Sequence, residues 1–375
     1  MPDDERAFAR GAPHIRDRIV RTATDLDVHV LEAGTPGRPA LLLLHGFPEI
    51  AYSWRRIMPA LAAAGFHVIA PDQRGYGRTT GWSLGYDVDL AEFGMPALVR
   101  DALALLDAMG VPGVEAVIGH DFGSPVAAWC GMMRPDVFRS VVCMSAPFAG
   151  PPPWPAADEP DIHAELAALD PPRRHYQWYY GERRANAEMM QSEDGLAAFL
   201  RAYFHCKSGD WRSNAPHRLG GWTGDDLAKL PLYYVMENGA SMPETVAAMA
   251  PTSGEAASCL WLTDPELAVY AEEYGRTSFQ GGLNWYRRMT SEAGKAELRQ
   301  FAGQRLQPPA CFIGGARDWG VFQVPGAIEA METTACAAYR GTTLIEGAGH
   351  WVQQEAPMET IAALLAFLET LDFRV

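Results

Sequence analysis

Short apolar runs recur through the first 150 residues, with amphipathic stretches between them. The runs are ALLLLHG (Ala40–Gly46), FHVIAPD (Phe66–Asp72), VEAVIGHD (Val114–Asp121) and SVVCMSAP (Ser140–Pro147). Segments with helical spacing lie at Tyr52–Ala64, Met95–Met109 and Ser124–Met133. Apolar strands separated by helices predict an α/β fold, a mostly parallel sheet covered by helices on both faces.

A proline cluster at Gly150–Pro155 breaks the pattern. The following segment is rich in Trp, Tyr, Met, Glu and Arg and is helical in periodicity. Its middle, Lys207–Glu255, carries many Gly, Pro, Ser and Asn residues and reads as long loops. The strand pattern resumes at PPACFIGGARD (Pro308–Asp318) and TTLIEGAGH (Thr342–His350), and a closing helix is expected at Met358–Leu371. The expected organisation is one core in two pieces, residues 1–150 and 301–375, with a helical lid of residues 151–300 inserted between them.

Composition narrows the function classes. The 375 residues are 48% hydrophobic and 21% charged, with a net charge of -15. That charge disfavours nucleic acid and anionic membranes as partners, since both need a cationic face. The six cysteines form no CxxC pair and sit partly in apolar runs, so they are expected to be reduced. The N-terminal stretch MPDDERAFARGAPHIRDRIV has no apolar leader core, and no run reaches the roughly 18–20 apolar residues that span a bilayer. A cytoplasmic protein is expected, with a homodimer left open.

The most informative stretch is VEAVIGHDFGSPVAAW. A strand enters Gly119-His120-Asp121-Phe122-Gly123 and a helix leaves it, the arrangement G-x-S-x-G with aspartate at the centre. The glycines give room for a strained turn that thrusts the central side chain into a cleft. A following helix N-terminus favours an ionised carboxylate there. In this arrangement an acid and a histidine follow the nucleophile in chain order. Asp318 and His350 stand in that order, each just past a strand. The loop His45-Gly46-Phe47-Pro48-Glu49 follows the first apolar strand, so the backbone N–H groups of Phe47 and Phe122 are candidates for an oxyanion hole. A cis Phe47–Pro48 bond suits such a turn.

With HGFPE, DQRGYGRT (Asp72–Thr80), GHDFG, RDWG and GHW, the chain resembles the epoxide hydrolase branch of the α/β-hydrolase fold. The lid extends the likeness. LNWYRRM (Leu283–Met289) is similar to the family segment carrying a ring-opening tyrosine, here Tyr286. Tyr176-Gln177-Trp178-Tyr179 is similar to the segment carrying the other, here Tyr176. Read without the family, Tyr176, Tyr179 and Tyr180 share one helical face and suit lid packing. His175 is an alternative donor beside Tyr176. The departures are Phe122, where the family often has tryptophan, and the long segment 207–255, which bears on substrate shape.

The resemblance implies hydrolysis of a small-molecule epoxide to a diol, with no cofactor and no metal, and the tryptophans and methionines of the lid suggest an apolar or aromatic one. Asp121 would form an alkyl ester and His350, oriented by Asp318, would activate the water that cleaves it. Trp54, Gln177, Trp178 and Trp351 are candidates for the pocket wall. Two alternatives use the same fold. A haloalkane or haloacid dehalogenase would want Trp or Arg at position 122 to hold the departing halide. A non-catalytic ligand receptor would be marked by a missing triad residue.

Overall fold

A computed structural model describes residues 15–154 and 161–371. The N-terminal stretch up to His14 and the last residue of the proline cluster, Pro155, lie outside the described residues. Eight strands form one sheet: β1 Ile15–Arg21, β2 Asp27–Ala33, β3 Ala40–Leu44, β4 His67–Pro71, β5 Ala116–His120, β6 Val141–Met144, β9 Leu306–Gly315 and β10 Cys336–Ile345. Two short strands, β7 Arg173–His175 and β8 Val235–Glu237, pair separately as an antiparallel ribbon. The sheet order is β1-β2-β4-β3-β5-β6-β9-β10. Only β2 runs against the others, pairing antiparallel to both β1 and β4.

The apolar runs became the sheet's centre because it is covered on both faces. Every residue of β3, β4, β5 and β6 is buried. Helices Met95–Ala108, Gly123–Met133 and Pro357–Glu369 fall within a residue or two of their expected limits. The helix expected at Tyr52–Ala64 is split into a 3-10 turn Ala51–Trp54 and a helix Met58–Ala63. Strand β10 begins six residues before the expected Thr342. As an edge strand it is mostly exposed, so its sequence CAAYRGTTLI lacks an apolar run.

Between β6 and β9 the chain is helical, as the inserted lid requires. The loop reading of Lys207–Glu255 is corrected in part, since helices Met242–Ala247 and Ser253–Ser258 lie within it or across its end. Ser241 with Glu244 and Thr252 with Glu255 form reciprocal capping boxes, which satisfy the first backbone N–H groups of these two short helices. The lid rests on the core through a backbone contact. A Cβ on Gly281 would lie 2.0 Å from the Gly75 carbonyl oxygen, and Trp285 Nε1 donates to the Arg74 carbonyl at 2.9 Å. Helix Gln280–Thr290 is thereby held against the loop that follows β4.

All six cysteines are free thiols. Among the described residues, no helix is long and apolar enough to cross a membrane.

Candidate active site

Asp121 sits where β5 turns into helix Gly123–Met133, with φ at +51°. The glycines around it are required by close approach. A Cβ on Gly119 would lie 2.0 Å from the Gly123 carbonyl oxygen, and one on Gly123 would lie 2.1 Å from that of Leu44. A Cβ on Gly46 would come 2.4 Å from Asp121 Oδ1 and 2.6 Å from the Phe122 nitrogen. Gly46 therefore leaves open the space shared by the carboxylate and the Phe122 amide.

The amide of Phe47 donates to Asp121 Oδ1 at 2.8 Å. His350 Nε2 lies 3.2 Å from Asp121 Oδ2, while its Nδ1 lies 3.0 and 3.1 Å from the two oxygens of Asp318. The Gly320 amide fixes Asp318 with a 2.6 Å bond. Asp121, Asp318 and His350 thus form one hydrogen-bonded line across 229 residues of chain. The Phe47–Pro48 bond is cis, as its turn suggested.

Electrostatics follow from that line. Burial would raise the Asp121 carboxyl, but the His350 hydrogen bond and the Lys207 charge hold it well below the usual carboxylate range. Asp318 is pulled down against its burial by His350, the Gly320 amide and Lys207. For His350, burial and the Lys207 ammonium act downward. The charge of Asp318 and the hydrogen bonds to Asp121 and Asp318 outweigh them, leaving its pKa above the ordinary 6.5.

The lid supplies aromatic rings above the carboxylate. Tyr286 packs edge-on to Phe122 at 4.8 Å and to Phe47 at 5.6 Å between ring centroids. Tyr176 lies edge-on to Tyr286, 5.9 Å between ring centroids. Burial and the Asp121 charge push both phenols above 10. The Tyr176 hydroxyl also contacts Gln323 Oε1 at 3.3 Å and Gln177 Nε2 at 3.4 Å.

The remaining expected residues divide. Trp351 is fully buried beside His350, ring centroids 4.6 Å apart. Gln177 reaches the site through Tyr176. Trp54 is fully buried, and its 3-10 turn packs on β2, β3, β4 and the short helix Val352–Glu355 that follows Trp351. Trp178 stands away from the carboxylate, half-buried against His163 and His175 at 4.1 and 5.1 Å. His175 caps the helix of Tyr176 with Nδ1, and burial lowers its pKa to about 3, so it lies behind the phenol instead of replacing it.

Comparison with known proteins gives the family. The α/β hydrolase fold family is matched by residues 39–357. Epoxide hydrolase B of Mycobacterium tuberculosis is 35% identical over 367 residues, covering 91% of this chain and 95% of that protein. The chain belongs to the epoxide hydrolases. Among solved structures, epoxide hydrolase A from Mycobacterium thermoresistibile superposes with a TM-score of 0.74 at 32% identity, covering 96% and 99% of the two chains. Epoxide hydrolase I of potato (Solanum tuberosum) gives 0.74 at 27% identity, with 95% and 100% covered.

Four residues of this epoxide hydrolase site were not singled out from the sequence. His120 and Glu49 stand inside quoted motifs and bond to one another behind His350. Glu355 accepts from the amides of Gly209 (2.7 Å), Gly349 (2.9 Å) and Trp351 (2.9 Å), tying a lid segment to the histidine loop. Lys207 is buried beside the same loop, its carbonyl accepting from the His350 amide at 2.9 Å. Gln354-Glu355 before Pro357 offered no signal, and Lys207 fell in a segment read as loop.

Proposed function

We propose that the protein hydrolyses a small apolar epoxide to a vicinal diol through a covalent ester on Asp121. The observation that carries the reading is a carboxylate at a nucleophile elbow, bonded to the Phe47 amide and His350, with the rings of Tyr176 and Tyr286 gathered beside it. Its surroundings favour the ionised carboxylate and the protonated phenols. An epoxide oxygen held by Tyr176 and Tyr286 presents a ring carbon to the Asp121 carboxylate. The oxygen not held by Phe47, Oδ2, attacks from behind; the C–O bond breaks and the alkoxide takes a proton from a phenol.

The second step needs a water at the Asp121 carbonyl carbon. His350 accepts its proton at Nε2, and Asp318 stabilises the imidazolium that forms. The N–H of Phe47, already bonded to Asp121 Oδ1, and that of Phe122 receive the tetrahedral oxyanion, each worth about 3 kcal/mol. Collapse releases the diol and regenerates Asp121. Aspartate rather than serine suits this sequence, because the first intermediate is an alkyl ester and the second step an ordinary ester hydrolysis.

In this reading residues 151–300 are the cap and 1–150 with 301–375 the catalytic core. Free thiols suit a reducing cytoplasm. The test is incubation of the purified protein with styrene, cyclic and aliphatic epoxides and one haloalkane, beside Asp121→Ala and His350→Gln. Diol from the wild type, with ester accumulating on His350→Gln, is expected. Halide release without diol would overturn the reading.

A further inference from the structure

The chain has three lysines. Lys229 and Lys295 pair with the carboxylates of Asp226 and Glu292 at the surface. Lys207 is different: it is 3% exposed, and among the described residues no ion pair neutralises it. Its ammonium sits instead among three rings, 5.0 Å from the centroid of Tyr234, 5.4 Å from Trp351 and 5.5 Å from Tyr203. Cation–π contacts recover part of what desolvation costs, and the carboxylates that the ammonium acts on, at a distance, are those of Asp121 and Asp318 in the catalytic line.

Each ring of the cage borders the site. Trp351 abuts His350 at 4.6 Å and Tyr234 abuts Tyr176 at 5.3 Å, while Tyr203 faces Phe47 at 6.5 Å. With one indole between them, the ammonium lies within about 10 Å of the imidazole. At that distance, across an effective dielectric near ~20, a unit charge changes a proton affinity by about one pKa unit. The other charged groups facing His350 are Asp318 and Asp121. His120 meets its carbonyl oxygen with Glu49 behind, and Glu355 holds the amides on either side.

Esterification changes this balance. Before it, two carboxylates favour an imidazolium, which cannot take a proton. Once Asp121 is an ester it carries no charge, and Lys207 stands against Asp318 alone. We propose that the Lys207 ammonium keeps His350 in its neutral, proton-accepting form in the alkyl-enzyme, and so sets the pH above which the ester is hydrolysed. Lys207 acts through His350 and does not touch the substrate. The inference rests on the epoxide hydrolase reading above and assigns a residue to its second step.

The test is rapid-quench hydrolysis of the alkyl-enzyme, formed with the neutral styrene oxide, from pH 5 to pH 9. Wild type is compared with Lys207→Met and Lys207→Arg. The methionine variant is expected to move the acid limb of the hydrolytic rate up by about one pH unit. The rate then falls about tenfold on the limb and recovers on the plateau, while arginine restores the wild-type limb. Lys207→Gln is read in the same way where the methionine variant does not fold. A limb that stays in place, whatever the amplitude, overturns the proposal, as does an arginine variant that behaves like methionine. A higher KM confined to carboxylate-bearing epoxides, with an unmoved limb, overturns it in favour of an anion seat. Wild type without diol overturns the underlying reaction and this role with it, whereas diol with an unmoved limb overturns this role alone.

Discussion

His120 stands directly behind His350: its Nε2 lies 2.7 Å from the His350 carbonyl oxygen, and its Nδ1 lies 2.5 Å from Glu49 Oε2. The Glu49 carboxylate is itself held by the Gly46 amide and by Gln353. One buried pair therefore braces the histidine and the loop that carries the Phe47 amide. His120→Phe would leave the Glu49 carboxylate buried without its partner, which costs about 1–3 kcal/mol or more. Thermal unfolding should show that loss, and kcat should fall about tenfold or further as His350 loses register. Wild-type values for both would separate this pair from the site.

A base that must be neutral gives a directional pH profile. With the His350 pKa raised above 6.5 in the free enzyme, kcat/KM and the pre-steady-state rates can be compared as pH rises. Hydrolysis of the ester should increase with pH and level off as imidazolium disappears. The phenols lie above 10, so no loss from their ionisation is expected between pH 7 and about 10. A steep decline starting near pH 8 would contradict their assignment as proton donors.

Removing one donor should leave a weakened but working ring-opening step. Tyr176→Phe and Tyr286→Phe are each expected to lower the rate of ester formation by about 10²-fold or more, and the double variant to abolish it. The rate of ester hydrolysis should change little, since the proposed second step uses neither hydroxyl. Burst-phase measurement separates the two steps. Tyr286→Phe also keeps the ring that packs on Phe47 and Phe122, so folding should be retained.

Glu355 gives a prediction about stability. Burial lifts its carboxyl to about 7 from 4.5, against three backbone amides that pull it down. A raised acid binds more protons folded than unfolded, so its contribution to stability declines as pH climbs from 4.5 through 7. Glu355→Gln removes that titration and disturbs the amide bonds at Gly209, Gly349 and Trp351. The variant should unfold at a lower temperature than wild type at pH 5, and the gap should narrow by pH 8. A gap that widens would show the carboxylate to be ionised throughout.

The parts legible in the sequence were those with local causes. β3, β4, β5 and β6 are buried on both faces, so each is an uninterrupted apolar run. Asp121, Asp318 and His350 follow strand ends in a fixed order, and the glycines at 119 and 123 mark a turn whose tightness the structure explains. Tyr286 came through the resemblance of LNWYR. The lid between residues 207 and 255 was misread because Gly, Pro and Ser drew attention from the Ser241/Glu244 and Thr252/Glu255 capping signals. Lys207 depends on rings at 203, 234 and 351, a cage that only the folded chain assembles.

The meeting of Gly75 with Gly281 has a consequence for how this pocket can change. Two peptide planes touch there with no side chain between them, so the height of the Tyr286 helix over the sheet is fixed by backbone thickness. Substitution at either position can only push the roof away and pull Tyr286 out of line with Asp121. On the epoxide hydrolase reading this contact serves as a ruler for the height of the roof, and room for a wider or narrower substrate would come from parts of the lid that meet the core through side chains.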